Sequence, residues 1–219
     1  MSHARTLPKD YEDQWFRFLG YGNPLARVWF IGSEPGGDPA PGPPNPHLST
    51  WQRFGKIWTY GVKPDLSEQN SSWDMVGEVL EASGLAARQD QWTTAMLANM
   101  APLPRPGEDD DHGGSTAAVY TQRVKDERIA FFRELIVALD GPQVMIFFGK
   151  GAWTKYGVVE TLQLQDDDGD LGANTGSRVR HFGLGTGKHV VLTNHPSRPF
   201  QFSKDDQRNL GRQLARWLR

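Results

Sequence analysis

Four short runs of bulky apolar and β-branched residues, each closing on a glycine or polar turn, constrain this chain more than any other feature: Arg27–Ile31, Thr93–Ala98, Val144–Phe148 and His189–Thr193. A strand covered on both faces reads as a near-continuous apolar run, whereas one with a solvated face alternates. Helical periodicity separates the runs, over Trp73 to Leu85 and over Tyr120 to Leu139, the latter with Val124, Ile129, Phe132, Leu135, Ile136 and Leu139 near one side. Strands alternating with helices require crossover connections, which place helices on both faces of a parallel sheet. The expected fold is α/β: a three-layer α/β/α arrangement around a mainly parallel four-stranded sheet. At 219 residues the chain suits one such domain spanning 1–219.

Three stretches resist both helix and ladder. Pro35 to Pro46 is dense in proline and glycine, Pro102 to Gly114 adds an acidic run, and Gln165 to Gly176 contains Asp166-Asp-Asp-Gly-Asp170. Proline removes a backbone donor and glycine raises the entropy of ordering, so these read as loops. The last stretch lacks the alternating oxygen ligands and closing glutamate of a calcium loop. His112, beside the acidic run, lacks further ligands at local spacing, so no metal site is expected.

The chain contains no cysteine, which excludes disulfides, thiolate metal sites, iron–sulfur clusters and thiol nucleophiles. No cofactor is expected. Residues 1–10 lack the charged-then-apolar pattern of a secretory signal, and no run is long enough to span a bilayer, so the expected location is the cytoplasm, without membrane contact. Net charge is −2. A polyanionic partner would therefore have to be met by a local patch. From Ser203 onward, Lys204, Arg208, Arg212 and Arg216 recur at four-residue spacing opposite Leu210, Leu214, Trp217 and Leu218, the pattern of an amphipathic closing helix with a solvated basic side.

In a parallel sheet, ligands bind beyond the carboxyl ends of the strands. Three strand ends carry unusual loops: Gly32-Ser-Glu-Pro-Gly-Gly37, Asn99-Met-Ala-Pro-Leu-Pro104 and Asn194-His-Pro-Ser-Arg-Pro199. Taken singly, Glu34 reads equally as an exposed turn carboxylate, His195 as a turn histidine satisfied by backbone, and Asn99 as a strand-end residue tolerating an unusual backbone angle. Phe148-Gly-Lys-Gly-Ala152 lacks the spacing of a phosphate loop, and no Gly-x-Ser-x-Gly elbow is present.

In order, the loops resemble the motifs of the uracil-DNA glycosylase superfamily, with Gly32-Ser-Glu-Pro35 as the Gly-x-x-Pro core and His195-Pro-Ser197 as the closing motif. Asn99 with Pro102 and Leu103 looks most like the single-strand-selective monofunctional branch. The resemblance runs from about Arg27 to Phe200. It implies a DNA glycosylase that hydrolyses the N-glycosidic bond of a flipped uracil or related damaged base, in single- or double-stranded DNA, for base excision repair. The implied roles are catalytic for Glu34 and His195, and base-edge reading for Asn99, whose amide offers both a donor and an acceptor.

Gly36 stands where the most uracil-selective branch has a tyrosine that excludes a 5-methyl group, so a wider pocket is expected, with Phe54 or Trp58 as stacking partners. Backbone amides near Gly36, Gly37 and Ser197 are expected to hold phosphates, with Arg198 as the wedge that replaces the flipped nucleotide. Two departures stand out. Glu34 precedes the motif's proline where Asp, Asn or Ala is usual, and the cysteines of the iron–sulfur branch are missing. No lysine lies in either terminal motif, which disfavours a Schiff-base lyase step. A monomer is expected. A non-catalytic nucleic-acid or modified-base binding protein of the same fold, and a nucleoside hydrolase or transferase, are the alternatives.

Overall fold

The computed structural model describes residues 11–33, 48–61, 71–103, 117–149, 155–164, 179–184, 186–196 and 201–219. The chain opens with α1 (Tyr11–Arg17), β1 (Phe18–Gly22) and β2 (Val28–Gly32), followed by the hairpin β3 (Leu48–Arg53) and β4 (Lys56–Gly61). Next come α2 (Ser71–Ser83), a 3-10 turn (Arg88–Asp90), α3 (Gln91–Thr94) and β5 (Ala95–Asn99). One long helical stretch follows, made of α4 (Ala117–Arg123), a π turn (Val124–Ile129) and α5 (Ala130–Val137). The chain then forms β6 (Val144–Phe148), α6 (Val158–Thr161), β7 (Val179–Leu184), β8 (Lys188–Thr193) and α7 (Lys204–Trp217).

The strands form one sheet in the order β3-β4-β1-β5-β2-β6-β8-β7. At its centre, β5, β2, β6 and β8 are mutually parallel. These are the four apolar runs, and their register is a straight row: Gly32 stands opposite Asn99 on one side and Phe148 on the other, and Phe148 opposite Thr193. The expectation of a four-stranded sheet is corrected to eight strands among the described residues. β1 and β7 run antiparallel at the flanks of the parallel core, and the β3–β4 hairpin extends one side. Leu-Ser-Thr-Trp-Gln-Arg in β3 and the alternating burial of β7 lack the apolar-run signature because strands toward an edge need only one covered face.

Alternation along the central strands builds two cores. Trp29, Ile31, Met96, Ala98, Met145, Phe147, Val190 and Leu192 face the layer containing Phe131, Phe132, Leu135 and Ile136 of α5. Val28, Phe30, Ala95, Val144, Ile146, Phe148 and Val191 face Met75, Val76, Val79 and Leu80 of α2 and Leu210 and Leu214 of α7. Covering both faces removes the central ladder from water, which is the main favourable term in assembling such a sheet.

Helix ends account for two further differences. α2 stops at Ser83 because Gly84 takes the left-handed conformation (φ 70°) and the Leu85 amide donates to Leu80 O in a Schellman closure. α5 ends at Val137, so Leu139, expected on the packed side, lies in the following turn and is 95% exposed. α7 begins as the sequence suggests: Ser203 Oγ accepts from the Asp206 amide while the Asp206 carboxylate accepts from the Ser203 amide, a complete capping box. Of its basic side, Lys204 and Arg208 reach Glu78 on α2. At the far end, Arg27 donates to Leu218 O (2.6 Å) and Gln143 Nε2 to Trp217 O (2.6 Å), tying the C-terminus to the amino ends of β2 and β6. Among the described residues, no helix is long and apolar enough to cross a membrane.

Candidate active site at the carboxyl edge of the parallel strands

At the carboxyl ends of the central strands, backbone hydrogen bonds continue the ladder one step into the loops. The Met100 amide donates to Gly32 O (2.8 Å), the Ala101 amide to Ser33 O (2.9 Å) and the Gly149 amide to Thr193 O (3.0 Å). Ser33 Oγ donates to Phe148 O (3.2 Å). The starts of all three motif loops are thereby held side by side.

Phe148, the last residue of β6, is buried at the middle of this row. A Cβ on Gly32 would lie 2.6 Å from Asn99 Oδ1 and 3.0 Å from the Phe148 ring, so the bare glycine is what lets the asparagine side chain and the ring come together. On the other side the His195 ring lies 5.8 Å, centroid to centroid, from Phe148. Gly149, at φ 102°, leaves the space between Ser33 Oγ and His195 Cδ2 clear. Asn99 and His195 therefore lie on either side of the buried Phe148 ring, an amide on one side and an imidazole on the other. Among the described residues no group of His, Asp and Glu stands close enough together to hold a metal ion.

The hairpin residues are not brought to this row. Phe54 is at the hairpin tip (φ 51°), where neighbouring Arg53 pairs with Asp140 in the connection leading to the amino end of β6. That is the opposite end of the sheet, and the half-exposed Phe54 ring is instead stacked by Arg53. Trp58 is buried against Phe131 (4.5 Å), with the Arg128 guanidinium over its ring at 5.3 Å. Trp58 also lines an open cavity of about 680 Å³ with Asp13, Phe16, Arg17, Lys56 and Arg123. The cavity lies among α1, the hairpin and the α4–π-turn stretch, and its Arg123 is committed to Glu12, Asp13 and Glu127. Those pairs hold the Arg123 guanidinium firmly protonated despite partial burial.

Glu34, Gly36, Gly37, Ser197 and Arg198 lie outside the described residues, as do the loops over 35–46, 104–114 and 165–176. Glu34 directly follows Ser33, whose carbonyl and hydroxyl are both engaged in the row.

Two site residues escaped the sequence reading. Phe148 was visible only as the end of an apolar run, and the glycine after it suggested phosphate chemistry or nothing. Arg128 was detectable: it stands four residues after Val124 and four before Phe132, on the apolar side of its helix, where a solvated arginine does not belong. It is wholly buried, and its Nη2 donates to Asn99 O (2.7 Å).

A parallel, doubly covered core with an amide and an imidazole at its carboxyl edge defines an α/β protein of the class in which ligands generally bind beyond the strand ends. Residues 19–219 match the family model described as the Uracil DNA glycosylase superfamily, and the chain belongs to that superfamily. No curated protein and no solved structure matches the chain.

Proposed function

We propose that the protein is a monofunctional DNA glycosylase that removes a flipped uracil or a related damaged base and leaves an abasic site. The observation that carries this reading is the single row at the carboxyl edge, where Asn99 and His195 flank the Phe148 ring beside the strand end from which Glu34 departs. A base is a flat, polar-edged ligand. An aromatic floor with an amide at its rim suits such a shape, and one amide can donate and accept along the same edge.

The chemistry follows from charge. As the bond between sugar C1′ and base nitrogen breaks, its electron pair leaves with the base, so positive charge builds on the sugar and negative charge on the base oxygens. His195 would donate a hydrogen bond to the departing anion. The Glu34 carboxylate would orient a water on the sugar face and accept its proton as the water oxygen bonds to C1′. Glu34 carries one methylene more than the usual aspartate, which moves that water and predicts a slow chemical step. A glycine at position 36, where the most uracil-selective branch has a tyrosine, predicts that 5-substituted uracils are accepted.

The test is single-turnover cleavage of labelled oligonucleotides containing one uracil, single-stranded or opposite guanine, followed by hot alkali to reveal abasic sites. Wild type should cut, and Glu34→Gln and His195→Ala should each lose about 100-fold or more while remaining folded. Binding without cleavage of uracil or any 5-substituted uracil would turn the reading to a base-binding module. Cleavage of free deoxyuridine but not of the oligonucleotide would turn it to a nucleoside hydrolase.

A further inference from the structure

Arg128 is a buried cation for which the glycosylase chemistry has no direct use. It sits in the π turn, fully shielded from water, and among the described residues no carboxylate pairs with it. Its Nη1 donates to Phe18 O (3.1 Å), with a longer contact to Phe16 O (3.5 Å), while Nη2 donates to Leu19 O (3.3 Å) and to Asn99 O (2.7 Å). Trp58 and Phe132 lie 5.3 and 5.5 Å from its Cζ, and among the described residues Nε has no hydrogen-bond partner. Burial pushes the guanidinium down to about 10, so at neutral pH it remains charged.

Such a group is a poor means of stabilisation. Taking an ion out of water costs several kcal/mol, and apolar replacements for buried ions are often neutral or stabilising. A guanidinium does offer a planar fork of donors that can hold several carbonyls at fixed relative positions, which neither an apolar side chain nor a lysine can reproduce. Here the fork spans from β1 to the last residue of β5. Asn99 is also fixed on its other side, where β5 pairs with β2 and the Met100 amide bonds to Gly32 O. The π turn adds to the case: such bulges are rare and occur frequently at functional sites.

We propose that Arg128 is a positioning residue: gripping the Asn99 carbonyl from inside the molecule, it sets the direction in which the Asn99 amide meets the base. The proposal rests on the glycosylase reading of the carboxyl edge. Arg128 touches no substrate; it acts through Asn99.

The decisive experiment is a double-mutant cycle of Arg128→Lys with Asn99→Ala, read by single-turnover cleavage of a uracil oligonucleotide, with thermal unfolding and hydrogen exchange of the segment 95–103 measured on the same proteins. Arg128→Lys should slow cleavage about 10- to 100-fold at saturating protein, with half-saturation changed less than about twofold, and exchange in 95–103 should rise while that of β6 does not. In the Asn99→Ala background the same substitution should cost less than about threefold, because the interaction through which it acts is already gone. Penalties that multiply, or unchanged exchange at 95–103, would overturn the positioning role. Should Arg128→Lys fail to fold, Phe132→Leu, which loosens the ring beside the guanidinium and spares every acceptor, is taken through the same cycle and judged by the same criteria. A wild type that leaves all bases uncut refutes the glycosylase reading instead, and hydrogen exchange still shows whether Arg128 holds Asn99.

Discussion

An alanine at position 32 would carry its Cβ to within 2.6 Å of Asn99 Oδ1 and 3.0 Å of the Phe148 ring. One of those neighbours must move, and both belong to the proposed base pocket. Gly32→Ala should therefore cost about 1–3 kcal/mol of stability, as overpacked sites do, and slow single-turnover cleavage about 10- to 100-fold, since misplacing a substrate-contacting group by a fraction of an ångström is that expensive. Urea unfolding and the oligonucleotide assay measure the two parts separately. Wild-type cleavage by a folded Gly32→Ala protein would mean that the Asn99 side chain is not what meets the base. The same scale shows what was legible. Asn99 and His195 stood out in the sequence because each closes a strand just before a proline-bearing turn, and the register places both beside Phe148. Phe54 stands near the first motif in sequence, but the hairpin carries it to the other end of the sheet.

At the scale of the elements, α2 and α7 pack against each other on one face of the sheet. A Cβ on Gly211 would lie 2.6 Å from Val79 O and 2.7 Å from Ala82 Cβ. Helix propensity alone favours alanine over glycine by about 1 kcal/mol, but backbone of the neighbouring helix cannot rotate away as a side chain can, and overpacking costs about 1–3 kcal/mol. The clash should win. Gly211→Ala is expected to lower stability by about 1–2 kcal/mol, with an unchanged denaturant slope, in urea titration. A stabilised variant would show that the two helices separate without penalty. The helix starting at Lys204 was readable because its basic and apolar faces are a local pattern; the glycine contact with α2 was not, because Val79 lies far away in sequence.

At the scale of the whole molecule, a net charge of −2 limits how a polyanion can be held. Several cations are already committed: Lys204, Arg208 and Arg88 to Glu78, and Arg123 to Glu12, Asp13 and Glu127. Since each phosphate neutralised contributes about −0.9 to the slope of log affinity against log salt on duplex DNA, a shallow slope of about −1 to −3 is expected. Fluorescence anisotropy between 50 and 200 mM salt measures it, that range being about the one over which strongly cationic binders lose most of their affinity. A slope near −6 would mean that a strongly basic local surface meets the DNA despite the net charge. The sequence by itself determined the parallel core and the order of the loops at its edge, because a strand covered on both faces must be apolar throughout and a strand end must turn. Only the tertiary structure decided the edge strands, the place of Phe148 and the partners of Arg128. Local pattern records whether a position is covered, not by what: the acceptors that make a buried arginine tolerable are Phe18, Leu19 and Asn99, and folding alone brings them to one guanidinium.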